Sequence, residues 1–200
     1  MMSKRVFDLF FTMIGLLLLV PLFTLIALWI RFDSPGPVFF RQERVGRFGK
    51  TFRIFKFRTM NPDAESRGRQ ITVGEDPRIT RAGSFLRRHK LDELPQLLNV
   101  LKGEMSLVGP RPEVPRYVAL YPSDVREKVL SVPPGITDFA SLEYKAESDI
   151  LGSASDPDAV YISEIMPAKL EFYLRYVAER SVLLDLKLIL RTLRALFIRW

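Results

Sequence analysis

Lys90-Leu91-Asp92-Glu93-Leu94-Pro95-Gln96-Leu97-Leu98-Asn99-Val100-Leu101-Lys102-Gly103 runs directly into Glu104-Met105-Ser106-Leu107-Val108-Gly109-Pro110-Arg111-Pro112-Glu113. The placing of Pro95 organises this stretch. A proline has no N–H to give, so it is tolerated in the first turn of a helix and not in its interior. The spacing therefore predicts a helix that begins near Asp92, with Asp92 or Leu91 as cap. It continues through Leu94, Leu97, Leu98 and Leu101 and stops at Gly103. That start sets Asp92 and Glu93 at the positive end of a helix dipole, beside free N–H donors, where carboxylates stay ionised and phosphates bind. Acidic residues at a helix start are also ordinary caps, and these two letters alone do not separate the readings.

The flanks separate them. Arg78, Arg81, Arg87, Arg88 and Lys90 precede the acidic pair, and Arg111 follows it inside a Gly-Pro-Arg-Pro turn. Prolines on both sides restrict the backbone around Arg111 and hold its guanidinium for a bidentate grip on phosphate. A carboxylate pair that can bind Mg²⁺, surrounded by cations, has the parts of a phosphoryl-transfer site: cations neutralise phosphate oxygens and a carboxylate serves as nucleophile.

Upstream, residues 6–30 form an almost unbroken apolar run between Lys4-Arg5 and Arg31, with Asp8, Thr12 and Thr24 as its clearly polar members. Its length suffices to cross a bilayer. Pro21 interrupts it, however, and residues 6–20 alone would rise only about 22 Å, at ~1.5 Å per residue, against a hydrocarbon core of ~30 Å. Both flanks are positive, so charge sets no orientation. These residues leave both a spanning helix and a re-entrant helix broken at Pro21 open. No small-residue cleavage site follows, and Ser34-Pro35-Gly36-Pro37 reads as a turn.

Residues 37–40 and 51–59 read as two strands joined by a glycine-containing turn. In the second, phenylalanines and Ile54 interleave with Arg53, Lys56 and Arg58, which suits a half-buried strand beside an anionic surface. No nucleic-acid motif accompanies it, so nucleic acid is not the expected partner. Residues 61–75 read as a polar loop. Ser84 reads as the cap of a short helix around Leu86. His89 is the only histidine and the chain has no cysteine, which rules out disulfides and Cys-based metal sites.

Residues 114–129 read as helix interrupted at Pro122, and residues 143–158 as an acidic loop. Pro167 opens a further helix, and Ser181 caps a last one. In that last helix Leu183, Leu186, Leu190 and Leu193 recur on one side, and Lys187, Arg191 and Arg194 on another. That is a basic amphipathic helix suited to an anionic lipid surface. A net charge of +7 over 200 residues agrees.

The chain resembles the bacterial sugar transferases, the monotopic phosphoglycosyl transferases. The residues that carry the likeness are Phe39-Phe40-Arg41-Gln42, Lys56-Phe57-Arg58-Thr59-Met60, Asp76-Pro77-Arg78-Ile79-Thr80, Leu86-Arg87, Leu91 to Gln96, Asn99 to Gly103 and Met105 to Pro112. Pro133-Pro134-Gly135-Ile136-Thr137 also fits. The family then commonly continues with Gly-Trp, whereas this chain has Asp138-Phe139-Ala140-Ser141.

The resemblance implies a mixed α/β (α+β) fold, mostly helical with a small β-hairpin. Residues 1–32 would form a re-entrant membrane helix broken at Pro21, and residues 33–200 a catalytic domain at the cytosolic face of the bacterial inner membrane, with an interfacial C-terminal helix. It also implies transfer of a sugar-1-phosphate from a UDP-sugar to polyprenyl (undecaprenyl) phosphate. UMP would be released through a covalent aspartyl-phosphosugar, in the first membrane step of polysaccharide or glycoconjugate assembly. Asp92 would be the nucleophile, Asp92 and Glu93 the Mg²⁺ ligands, and Lys56, Arg58, Arg87 and Arg111 the phosphate contacts. A non-catalytic membrane-anchored module, or a lipid-phosphate hydrolase built on the same pair, stands as the alternative. The identity of the sugar and the oligomeric state are open.

Overall fold

The computed structural model describes residues 2–62, 64, 76–143 and 147–198. Most of the polar loop expected over residues 61–75 lies outside them.

The chain opens with α1, Met2–Asp33, a single helix of 32 residues. It is apolar and long enough to cross a membrane, and Phe10, Leu17, Leu18, Leu25 and Leu28 stand exposed along it. Pro21 does not end it. The proline removes one backbone hydrogen bond, to the carbonyl of Leu17, while the apolar residues on both sides keep their helical pairing. Thr24 Oγ1 turns back to the Val20 carbonyl at 3.0 Å. This back-bond bends helices, so two bending features fall in one turn.

Both ends of α1 grip the rest of the protein. At the start, Lys4 pairs with Asp185, Arg5 donates to the carbonyls of Val100 and Leu101, and Asp8 accepts from Ser106 Oγ and Leu107 N. At the other end, Ile26 and Ile30 pack with Phe57, Ala82 and Leu86. There Asp33 accepts from Ala82 N at 3.1 Å.

Two strands follow, β1 (Phe39–Val45) and β2 (Thr51–Phe57), paired antiparallel with Phe40 opposite Lys56. Ile54 and Phe57, three residues apart on β2, are buried on opposite faces, Ile54 toward Val100 and Met105 and Phe57 toward Ile26 and Ile30. Next comes α2 (Arg81–Arg88). Its cap is Thr80, whose hydroxyl accepts from Gly83 N, and not Ser84, which lies within the helix. A 3₁₀ turn over Leu91–Gln96 leads into α3 (Leu97–Lys102), which Gly103 ends in the left-handed conformation.

Strand β3 (Ser106–Val108) is followed by α4 (Pro115–Val118), α5 (Ser123–Val129) and β4 (Gly135–Thr137). β3 and β4 pair in parallel, Ser106 with Gly135 and Val108 with Thr137. The strands meet so closely that a Cβ on Gly135 would lie 2.0 Å from Gly109 N. Only glycine permits that approach.

The helices α6 (Phe139–Glu143), α7 (Glu147–Ser153) and α8 (Pro157–Val160) follow, the last two within or overlapping the acidic stretch 143–158 expected as a loop. Leu142, Leu151 and Pro157 are buried on them, and packing overrides the acidic composition. A π turn then enters α9 (Met166–Glu179). Ser181 Oγ accepts from Leu184 N at the start of α10 (Val182–Ile198), as the sequence suggests.

Besides the cluster at the end of α1, three further apolar clusters among the described residues join these elements. Tyr117, Tyr121, Val129, Ile165 and Tyr173 form the largest. Val108, Phe139, Tyr176 and Leu188 bind α10 to β3 and α9. Ile54, Val100 and Met105 seat α3 under the hairpin.

Candidate active site

The acidic pair sits on the 3₁₀ turn, not at the start of an α-helix. Lys90, in a left-handed conformation with φ 56°, precedes the turn, and no side chain caps it. The capping role foreseen for Asp92 or Leu91 is absent. Pro95 lies inside this turn and leads directly into α3, where its fixed φ is compatible with helical winding and its missing N–H costs one hydrogen bond.

Asn99 presses this turn against β2. Its Oδ1 accepts from Phe55 N at 2.8 Å, and its Nδ2 donates to the Arg53 carbonyl at 3.0 Å and to Glu104 at 2.7 Å. Fully buried, Asn99 fixes the distance between the acidic turn and the strand that carries Lys56.

The two carboxylates then part company. Glu93 Oε1 accepts from Lys56 Nζ at 2.8 Å. Arg111 grips Glu93 with both terminal nitrogens, Nη1 to Oε2 at 3.1 Å and Nη2 to Oε1. Burial alone would raise the Glu93 carboxyl. Arg111 and Lys56 more than offset this and hold it well below the usual glutamate value. Lys56 is pushed down by burial, and Glu93 recovers part of the shift.

Asp92 is 8% exposed, and among the described residues its carboxylate accepts no hydrogen bond and forms no ion pair. Burial first, and the neighbouring Glu93 second, raise its carboxyl above the ordinary aspartate value. Lys56, Arg87 and Lys90 pull it partly back. One member of the pair is thus a saturated anion and the other an open, desolvated carboxylate.

Arg87 stands on the Asp92 side. Its Nε donates to Thr59 Oγ1 at 2.9 Å, and its charge acts on Asp92. Lys56, Arg87 and Arg111 therefore converge where the sequence places them, around Asp92 and Glu93.

Arg58 does not. It lies 4% exposed under the end of α1, and its guanidinium donates to the carbonyls of Ile30, Ser34 and Pro35. β2 ends at Phe57, so the two-residue alternation that aligns Arg58 with Lys56 in the sequence stops before it. Arg58 ties off the helix. Gly36, at φ +118°, leaves room for it: a Cβ there would lie 2.4 Å from Arg58 Nη1.

Behind Arg111, Glu113 accepts from Arg44 Nη1 at 3.1 Å, from Val114 N at 3.0 Å and from the Tyr161 hydroxyl. The roles of Glu113 and Asn99 at the site are not legible in the sequence, because the partners that place them there, Arg44 and Tyr161 for Glu113 and Arg53 and Phe55 for Asn99, lie tens of residues away.

The site thus sets an open, buried carboxylate and a paired one among two arginines and a lysine, in a chain whose first helix is long and apolar enough to cross a membrane. Comparison with known proteins gives the class: the chain belongs to the bacterial sugar transferase family, whose model matches residues 1–199. It is a transferase.

A Bacillus subtilis protein provisionally named an undecaprenyl-phosphate N-acetylgalactosaminyl 1-phosphate transferase is 42% identical over 152 residues, 76% of this chain and 80% of that protein. The Escherichia coli UDP-glucose:undecaprenyl-phosphate glucose-1-phosphate transferase is 39% identical over 94% of this chain. The Komagataeibacter xylinus undecaprenyl-phosphate glucose phosphotransferase is 41% identical over 97%. The chain spans only 39% and 36% of the lengths of these last two.

Proposed function

We propose that the protein transfers a sugar-1-phosphate from a UDP-sugar to polyprenyl phosphate and releases UMP, with Asp92 as nucleophile. The observation that carries this reading is the contrast within the acidic pair: Glu93 is saturated by Lys56 and Arg111, while the buried carboxylate of Asp92 is open. In the first step an Asp92 oxygen bonds to the sugar-linked phosphorus of the donor. The bond from that phosphorus to the bridging oxygen breaks, and UMP leaves with the electron pair. In the second step a phosphate oxygen of the acceptor bonds to the same phosphorus and the aspartyl bond breaks. Asp92 returns as a carboxylate and the product is a polyprenyl-diphosphate sugar. Arg111, Arg87 and Lys56 neutralise the phosphate oxygens as charge shifts onto UMP.

The acidic pair also suits Mg²⁺. Among the described residues no three metal-ligating side chains cluster. Magnesium commonly takes one or two carboxylates and completes its shell with substrate phosphates and water. Asp92, through its open carboxylate, and Glu93, through oxygens that Lys56 and Arg111 now hold, would be the ion's protein ligands. When bound, the ion would offset the charge of the diphosphate and of the departing UMP.

For the membrane helix we favour a re-entrant course with both ends at the cytosolic face of the inner membrane. Supporting it are the contacts of both ends of α1 with the same body and the bend-promoting turn at Pro21 and Thr24. A helix that crossed the bilayer would carry one of those ends to the far side.

The test omits the acceptor. Purified protein is mixed with a panel of UDP-sugars carrying label in the β-phosphate. The expected result is a burst of UMP close to one per protein, with label retained on the wild-type chain and none on Asp92→Asn. UMP release that always requires acceptor, with no labelled protein under any condition, would overturn the two-step route.

A further inference from the structure

The parallel register of β3 and β4 brings one more carboxylate to Arg111. Gly109 N donates to the Thr137 carbonyl at 3.1 Å, and Gly135 N donates to the Pro110 carbonyl at 2.9 Å. Asp138 follows Thr137 directly, so it lies alongside the backbone that delivers Arg111. It is 1% exposed. One oxygen, Oδ1, accepts from Ser141 N. The other, Oδ2, is buried with no hydrogen-bond partner among the described residues. A buried carboxylate oxygen without a donor is costly, and such a group in a folded protein calls for a reason.

The groups that face Asp138 narrow the reason. Lys169 is occupied, bridging both oxygens of Glu147 at 3.0 Å. The phenol of Tyr173 is raised by burial and then by the Asp138 charge. Among the described residues the remaining cation is Arg111, which feels Asp138 in addition to Glu93. Arg111 spends two of its five N–H donors on Glu93, and the others remain for a second acceptor.

We propose that Asp138 is a positioning residue for Arg111: its open oxygen holds the guanidinium when a substrate diphosphate draws it off Glu93, so that the fork keeps its aim. The proposal rests on the donor reading above. It gives a function to the position at which this chain departs from Gly-Trp, and it makes Asp138 act through Arg111 and not by touching substrate.

Binding of UDP to the detergent-solubilised full chain, measured by titration calorimetry, tests this as a double-mutant cycle. Arg111→Lys keeps the charge and loses the fork. With Arg111 in place, Asp138→Asn should weaken UDP binding about tenfold, whereas in the Arg111→Lys background it should change the Kd less than about twofold, since coupled residues are not additive. Asp138→Ser, which keeps a short acceptor for Ser141 N, is run in parallel and should show the same pattern.

Equal losses in both backgrounds, or no loss in either, would overturn the proposal. So would failure of both Asp138 variants to fold, because Asp138 would then serve the fold alone. A wild-type protein that binds no UDP would sink the donor reading and this inference with it. Additive losses in a protein that releases UMP sink only the inference.

Discussion

Replacing Glu93 with Gln should destabilise the protein by about 3 kcal/mol. Glu93 accepts three hydrogen bonds from two cations, and Gln would keep one acceptor oxygen while turning an amide N–H₂ toward Lys56 or Arg111. Removing one partner from a buried ion pair costs roughly 3–5 kcal/mol. The side chains of Lys56 and Arg111 retain 20% and 31% of their exposure, so water screens part of the loss and the lower end applies. In a protein of 200 residues, roughly 2–4 °C of melting temperature accompanies each kcal/mol, which gives a fall of about 6–12 °C.

The effect has a defined pH dependence. Lys56 and Arg111 hold the Glu93 carboxyl well below the ordinary glutamate value of 4.5 despite burial. A carboxylate whose pKa falls on folding contributes stability that is fully present above its unfolded pKa and lost as pH drops through the folded value. The gap between wild type and Glu93→Gln should therefore be constant from neutral pH down to about 5 and close only in stronger acid. Thermal unfolding in detergent, followed by intrinsic fluorescence across that range, measures both. A shift under about 1 °C at neutral pH, or a gap that widens on acidification, would refute the reasoning.

Asp92→Asn should lower UMP release by at least about 10³-fold, since the nucleophile is lost. Its melting temperature should be unchanged or higher, because a neutral amide replaces a desolvated carboxylate; substantial residual turnover would remove Asp92 from its role. The raised Asp92 carboxyl also sets the acid limb of kcat/KM. Activity falls as pH drops through a value above the ordinary 3.8 for aspartate, and a profile flat down to that value would contradict it. Arg58→Met strands the carbonyls of Ser34 and Pro35 just past α1, while that of Ile30 keeps Ser34 N, and should cost at least about 2 kcal/mol, while UMP release per folded molecule stays near wild type; a selective loss of turnover would return Arg58 to the site. Single cysteines at Ser3 and Pro37, in a chain that has none, should both resist a membrane-impermeant thiol reagent until cells are opened, and labelling of one alone would show that α1 spans the bilayer.

Features that depend on neighbours along the chain are legible in the sequence itself. The apolar run forms α1, Gly103 ends α3, the glycines at 46 and 49 turn the hairpin, and Ser181 caps α10. Each is decided within a few residues by backbone freedom, by local hydrogen bonding or by unbroken hydrophobicity. The composition of the site is legible for the same reason: Asp92, Glu93 and Arg111 lie within one short, proline-marked stretch.

Which carboxylate is free is not legible there. Asp92 and Glu93 are adjacent in sequence with the same charge, and what distinguishes them is Lys56, 37 residues away, and Arg111, 18 residues away. Arg58 shows the converse. It has the same residue type and strand parity as a phosphate contact, yet the strand ends one residue before it and sends it to the carbonyls of α1. Asp138 reads as an acidic residue in a turn until the parallel pairing of β3 and β4 buries it beside Arg111. Sequence decides where a chain turns, caps and repels water, because those energies are local. Which charges meet, and which carboxylate is left without a partner, is set by contacts across tens of residues, and these exist only in the folded protein.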